Sequence, residues 1–131
     1  MTFMAKHISV SIGRSAAQVY EFASNPENLP QWAGGLSGSI KKVADEWIAE
    51  APMGRVKVGF AEKNKFGILD HDVTLSSGAK IFNPMRVFPN NDGSEVVFTL
   101  YRRPEMTDQN FMEDAESVAR DLKKLAILLE K

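Results

Sequence analysis

Residues 108–130 read DQNFMEDAESVARDLKKLAILLE, and their pattern sets the architecture expected for the whole chain. Large apolar residues recur at intervals of three and four, which gives a single apolar stripe on a helix. The stripe consists of Phe111, Ala115, Val118, Leu122, Leu125 and Leu129. At 1.5 Å per residue this helix spans about 35 Å. A helix of that length in a small domain is predicted to lie across a sheet.

Residues 36–102 alternate short strand-like runs with turn signals rich in glycine, proline, asparagine and aspartate. The predicted strands are Ser37–Val43, Glu46–Ala51, Arg55–Ala61, Ile68–Leu75, Ala79–Phe88 and Glu95–Arg102. Connections this short require antiparallel hairpins, because a parallel crossover needs about a dozen residues or more.

The N-terminal third predicts one strand and two short helices. Residues 7–12 alternate apolar and polar side chains, which is the period of a half-buried strand. Ser15 and Gln18 have the spacing of a capping box, so a helix is expected at Ala16–Ser24. Asn25 precedes a proline and should end this helix. A second short helix is expected at Glu27–Ala33.

Composition limits the class of protein. A length of 131 residues predicts one domain covering residues 1–131. The net charge of −1 gives no electrostatic footprint for nucleic acid. No apolar run approaches the roughly 18–20 residues that a membrane span needs, and residues 1–7 lack the pattern of a secretory signal. Together with the absence of cysteine, this leads us to expect a cytoplasmic protein.

The order of elements resembles the helix-grip fold of the START/Bet v 1-like superfamily, which includes polyketide cyclase/dehydrase and lipid-transport-like proteins. The resemblance covers nearly the whole chain. It rests on Ile8–Ile12, on the stretch from Ser15 to Trp32, and on the stretch from Asp70 to Val87. It implies an α+β fold: a seven-stranded curved antiparallel sheet, two short helices, and a long C-terminal helix across the sheet. Members of this superfamily include carriers, receptors, cyclases and co-chaperones, so the resemblance does not select one function.

His71 lies on the apolar face of the predicted strand 68–75, together with Leu69 and Val73. Adjacent strand residues face opposite sides, so the run Asp70-His71-Asp72 cannot form a metal triad. Two histidines and no cysteine also exclude a Rieske cluster and argue against a two-histidine iron site. We therefore expect no metal and no other cofactor.

Hairpin pairing predicts a partner for His71. A three-residue loop ending at Gly78 pairs His71 with Asn83, and the next hairpin pairs Met85 with Phe98. Directly paired residues share a face of the sheet. The inner wall is therefore expected to be apolar, with His71 and Asn83 as adjacent polar groups.

A tight turn at residues 53–54 would pair Ala49 with Val58 and Trp47 with Phe60, which makes Trp47 an inner residue. A mostly apolar cavity with a few convergent polar groups is typical of a small-molecule site. The predicted ligand-binding residues are His71, Asn83, Trp32, Trp47, Phe60, Met85, Phe98, Val118 and Leu122.

Two alternatives to this site remain open. In the first alternative, His71 and Asn83 only hydrogen-bond each other as a buried core pair. In the second, they contact a ligand. A two-residue loop before Ala79 would also reverse the faces of the following strand and turn Arg86 inward.

Three functions are compatible with the sequence. The first is binding of a small hydrophobic molecule, such as a lipid, a polyketide or an aromatic metabolite, between the sheet and the C-terminal helix. The second is a cyclase or dehydratase in which His71 acts as general acid or base and Asn83 as orienter or carbonyl hydrogen-bond donor. No carboxylate joins them on the inner face. The third is a protein-interaction or homodimer surface formed by Phe82, Phe88 and Tyr101.

Overall fold

The computed structural model describes residues 1–36, 39–52 and 54–131. Its helices are α1 (Ala16–Ala23), α2 (Leu29–Trp32) and α3 (Asp108–Glu130), with 3-10 turns at Pro26–Asn28 and Gly34–Leu36. Its strands are β1 (Ala5–Ile12), β2 (Ile40–Val43), β3 (Glu46–Ala51), β4 (Gly54–Phe60), β5 (His71–Thr74), β6 (Lys80–Asn83), β7 (Met85–Asn90) and β8 (Gly93–Tyr101). No helix in these ranges is long and apolar enough to cross a membrane.

The described strands form two antiparallel sheets, with the orders β1-β8-β7 and β2-β3-β4-β5-β6. The α+β class and the long C-terminal helix are as predicted and are consistent with the helix-grip fold, but the single seven-stranded sheet is wrong. The strand predicted at residues 79–88 divides at Pro84 into β6 and β7. Proline has no N–H for the ladder, so the break falls there.

Asp70 holds the junction between the two sheets. Its carboxylate accepts the Met85 N–H at 2.9 Å, and it accepts a two-point contact from the Arg86 guanidinium at 2.9 and 2.8 Å. Beside it, the Leu69 N–H donates to the Met85 carbonyl at 2.8 Å. These bonds replace ladder bonds at the break, which explains why the strand predicted at 68–75 is regular only over β5.

The capping prediction for α1 agrees with the structure, where Ser15 and Gln18 form a reciprocal capping box. Thr107 and Asn110 form a second such box at the start of α3. The single helix predicted at 27–33 is instead a 3-10 turn followed by α2, because Pro30 at the start of α2 interrupts the N–H series. The first residues of the strand predicted at 37–43 lie outside the described ranges.

Strand register confirms two predicted hairpins and corrects a third. His71 pairs with Asn83 and Met85 pairs with Phe98, as predicted. Trp47 pairs with Val58 and not with Phe60, because the β3–β4 turn falls one residue earlier than predicted. That shift moves Pro52, which cannot donate to a ladder, into the turn. Each residue of β3 therefore pairs with a β4 residue two positions earlier than predicted, so every side chain stays on the predicted face of the sheet.

The inner face of the sheets packs against α3 to form the core. Ala115, Leu122 and Leu125 of the predicted stripe are buried. Opposite them, alternate residues of the strands are buried: Ala49, Val56, Val58, Met85, Val87, Val96, Phe98 and Leu100. The buried residues of these strands are therefore those predicted for the inner face. Helix α2 packs against α3 and closes one end of the layer between the sheet and that helix.

Candidate ligand-binding site

A cavity of about 140 Å³ lies between the inner face of the sheet and α3. The sheet contributes Val58, His71, Val73, Asn83 and Phe98 to its wall. Helix α3 contributes Val118, Asp121 and Leu122, and the segment around α2 contributes Leu29, Trp32, Ala33 and Gly35. The wall is therefore largely apolar, and its polar side chains lie on β5, β6, α2 and α3.

Six of the nine predicted binding residues line this cavity: His71, Asn83, Trp32, Phe98, Val118 and Leu122. The other three do not. Phe60 packs on the imidazole of His71, with ring centroids 5.1 Å apart, and so supports the wall from outside it. Met85 is buried in the core, and Trp47 borders a separate surface depression with Glu46 and Lys57. Whether any of the nine contacts a ligand stays a prediction.

His71 is buried, and its ring is held by a hydrogen bond at Nδ1 and by packing against Phe60 and Phe98. Nδ1 lies 3.0 Å from the Leu69 carbonyl oxygen, which can only accept, so Nδ1 carries the proton. Phe98 meets the ring edge-on at 5.8 Å between centroids. Burial lowers the pKa of His71 below its ordinary 6.5, against the smaller opposing effects of the Leu69 carbonyl and the Asp70 and Asp72 carboxylates. The imidazole is therefore neutral at neutral pH, and Nε2 is an acceptor.

Asn83 faces Nε2 from the paired strand. Its Nδ2 lies 3.4 Å from His71 Nε2, which is longer than the 2.7–3.2 Å usual for such bonds. The direct bond is thus weak. Both side chains can therefore form further hydrogen bonds at the cavity wall. A mutually satisfied core pair would account for only part of their hydrogen-bonding capacity.

Asp121 is a wall residue that sequence reasoning missed, and it places a carboxylate on the α3 side of the cavity that His71 lines from the sheet. It lies between Val118 and Leu122 on α3, and its Oδ1 accepts the Gly34 N–H at 3.0 Å. Burial raises the pKa of this carboxyl above its ordinary 3.8, while the Gly34 N–H, Lys124 and Arg120 act in the opposite direction. The signal available in the sequence was its position, three residues after Val118 on the apolar stripe.

Trp32 brings a fourth kind of polar group, an indole N–H, to the wall. Its side chain is buried, and its Nε1 has no hydrogen-bond partner among the described residues. A buried indole N–H without a partner is costly, so such groups are usually bonded. The helix α2 that carries Trp32 is tied to α3 by the Gly34–Asp121 bond, which follows it directly.

Outside the cavity, Phe82 and Phe88 are about half exposed, at 51% and 46%. Tyr101, the third residue predicted for an outer patch, is partly covered by the edge-on ring of Phe3. That any of them binds a partner or a second copy stays a prediction. Within the described ranges, no group of three or more His, Asp or Glu side chains is arranged to hold a metal ion.

Comparison with known proteins supports the fold and leaves the activity open. No protein-family model matches the chain, and no curated protein matches it. Among solved structures, an uncharacterised Bacillus thuringiensis protein matches with a TM-score of 0.77 at 15% identity, covering 98% of this chain and 100% of that one. DynU16, a protein of the dynemicin biosynthetic locus, matches at 0.73 and 16%, covering 97% of this chain and 47% of that one.

The Bet v 1-like protein Ara h 8.0201 matches with a TM-score of 0.67 at 11% identity, covering 96% of this chain and 97% of that one. All three identities are too low to carry a function. The likenesses are consistent with a START/Bet v 1-like fold, as the sequence predicted.

Proposed function

We propose that this chain is a START/Bet v 1-like binding protein that takes up a small apolar molecule in the cavity between the sheet and α3. The observation that carries the proposal is the composition of the wall. Its apolar lining is interrupted by the polar side chains of His71, Asn83, Asp121 and Trp32. Pockets that are mostly apolar, with a few placed polar groups, are the usual form of small-molecule sites.

Val118 offers a direct test, because it lines the cavity from α3. Val118→Phe adds a ring that fills part of the space without introducing charge. Ile127→Phe is the matched control, because Ile127 is an exposed residue of the same helix. Toluene serves as the probe, and its binding is followed by ligand-observed NMR. We expect binding to the native chain and to Ile127→Phe and loss of binding in Val118→Phe. Equal binding by both variants would sink the proposal.

A second candidate function, acid–base catalysis of the cyclase or dehydratase type, is favoured by Asp121. Burial lowers the pKa of His71 and raises that of Asp121, and both residues line one cavity. Titratable groups with perturbed pKa values that line one cavity are typical of catalytic sites. The test is turnover of a candidate hydroxylated substrate by His71→Ala. Loss of turnover with binding retained supports catalysis, and unchanged turnover removes this candidate.

A further inference from the structure

The cavity volume limits the size of the ligand. About 140 Å³ is close to the roughly 150 Å³ of an engineered apolar cavity that binds benzene in another protein. A single six-membered ring fits a space of this size, whereas a long acyl chain or a multi-ring polyketide exceeds it. Trp32 and Phe98 on the wall offer aromatic surfaces suited to edge or face contact with such a ring.

The charges around the cavity favour a neutral ligand. Of the described residues that line it, none is lysine or arginine, and one is the carboxylate Asp121. An anionic ligand would meet Asp121 without a compensating cation on the wall, and burying an unpaired charge is strongly unfavourable. A cationic ligand is not required either. The Gly34 N–H already donates to Asp121, and Arg120 and Lys124 act on it electrostatically.

The polar groups of the sheet favour a hydroxyl. Nε2 of His71 is an acceptor, because Nδ1 of the same ring donates to Leu69. The amide of Asn83 is a donor, and the two groups make only a 3.4 Å contact with each other. A hydroxyl is both donor and acceptor, so one hydroxyl can donate to Nε2 and accept from the amide at the same time.

We infer, resting on the binding function proposed above, that the ligand is a neutral single-ring compound with a hydroxyl group, phenol being the simplest example. The ring lies among Trp32, Phe98 and the aliphatic residues of α3. The hydroxyl donates to Nε2 of His71 and accepts from Nδ2 of Asn83. His71 and Asn83 therefore select rings that carry a hydroxyl group, and the Asp121 carboxylate disfavours anionic ligands.

Phenol, toluene and benzoate form a matched set of probes, because they share one ring and differ in a hydroxyl, a methyl and a carboxylate. Dissociation constants are measured by NMR titration at neutral pH for the native chain, for His71→Phe and for Asn83→Leu. His7→Phe is the control, because His7 is an exposed histidine on β1. We expect phenol to bind at least about fivefold more tightly than toluene, the effect of about one net hydrogen bond, and benzoate to bind most weakly.

The variants distinguish recognition of the hydroxyl group from binding of the ring. His71→Phe and Asn83→Leu are expected to lose the preference for phenol while still binding toluene, and His7→Phe is expected to keep it. Asn83 is only partly buried, so Asn83→Leu gives a result even if His71→Phe does not fold. Equal affinity for phenol and toluene in the native chain overturns this inference and leaves the binding function standing. Tighter binding of benzoate also overturns it, and failure of all three probes to bind overturns both.

Discussion

Asn83 lies 3.4 Å from the Nε2 of His71 across the paired strands β5 and β6, on the wall of the cavity. The pair combines a neutral acceptor with an amide donor in a largely apolar setting. Because the bond between them is long, the two groups satisfy each other only weakly. The proposed recognition of a hydroxyl group depends on this arrangement of His71 and Asn83.

Acidification is expected to destabilise the fold through His71. The pKa of His71 is lower in the folded chain than the ordinary 6.5, so between the folded pKa and pH 6.5 the unfolded chain binds a proton that the folded chain does not. The free energy of unfolding is therefore unaffected by the titration of His71 above about pH 6.5. It decreases as the pH falls towards the folded pKa, by at most about 1.4 kcal/mol per pH unit.

The measurement for this effect is the free energy of unfolding by denaturant at about pH 7.5 and about pH 5.5, which bracket the ordinary titration of histidine. We expect the difference between the two to shrink in His71→Leu and to persist in His7→Leu. An undiminished difference in His71→Leu would show that another group is responsible.

Asp121 is expected to control the charge of what enters the cavity. Asp121→Asn keeps the size of the side chain and an oxygen for the Gly34 N–H, and it removes the negative charge. Binding of benzoate should therefore become tighter, while binding of toluene changes little. Asp114→Asn is the matched control, because Asp114 is a partly buried aspartate of α3 that does not line the cavity. If both variants bind benzoate equally, Asp121 has no role in selectivity.

Asp70 is expected to stabilise the junction between the sheets. Its side chain is 18% exposed and makes a two-point contact with Arg86, in addition to accepting the Met85 N–H. We expect Asp70→Asn to cost about 1–2 kcal/mol, the lower end of the range for charged hydrogen bonds, because Arg86 is half exposed and screened.

Denaturant unfolding at neutral pH measures this cost. Glu50→Gln disrupts the exposed Glu50–Arg55 pair and serves as a control, with an expected cost below about 0.5 kcal/mol. The Arg86 guanidinium lowers the pKa of Asp70 below its ordinary 3.8, so the contribution of Asp70 is full above that pH and is lost as the pH falls through the folded pKa. A cost for Asp70→Asn no larger than that of the control would contradict the role of this junction.

Two glycines with positive φ give a test of close approach. Gly67 has φ +71°, and a Cβ there would come 2.0 Å from the Val87 carbonyl oxygen, whereas Gly78 has φ +92° with open space around it. Gly78→Ala should cost only the about 1–2 kcal/mol of left-handed strain. Gly67→Ala should cost clearly more, because the backbone of β7 must also move. Equal thermal stability of the two variants would show that the backbone of β7 moves away from residue 67 at little cost in free energy.

The parts of the fold that were predicted correctly rest on short-range patterns. The apolar stripe of α3 and the capping box of α1 are local, and the His71–Asn83 pairing follows from one loop of fixed length. Proline explains two failures. Pro84 breaks a strand that continuous β-propensity predicted as one, and Pro52 moves the β3–β4 turn.

Asp121 was missed for a different reason. A charged residue beside an apolar stripe is normally solvent-facing, and here the short helix α2, held by the Gly34–Asp121 bond, covers it. That cover is a tertiary contact between segments far apart in the chain, so no local pattern contains it. The same applies to the volume of the cavity, which depends on how α2, α3 and the sheet meet.

Binding in the cavity is tested most directly by intermolecular NOEs between toluene and the methyl groups of Val118 and Leu122, which line the cavity from α3. We expect NOEs from the aromatic protons of toluene to both residues in the native chain and in Ile127→Phe. We expect no NOE to Leu122 in Val118→Phe. Saturable binding of toluene without NOEs to these methyl groups would contradict the claim that this cavity is the binding site.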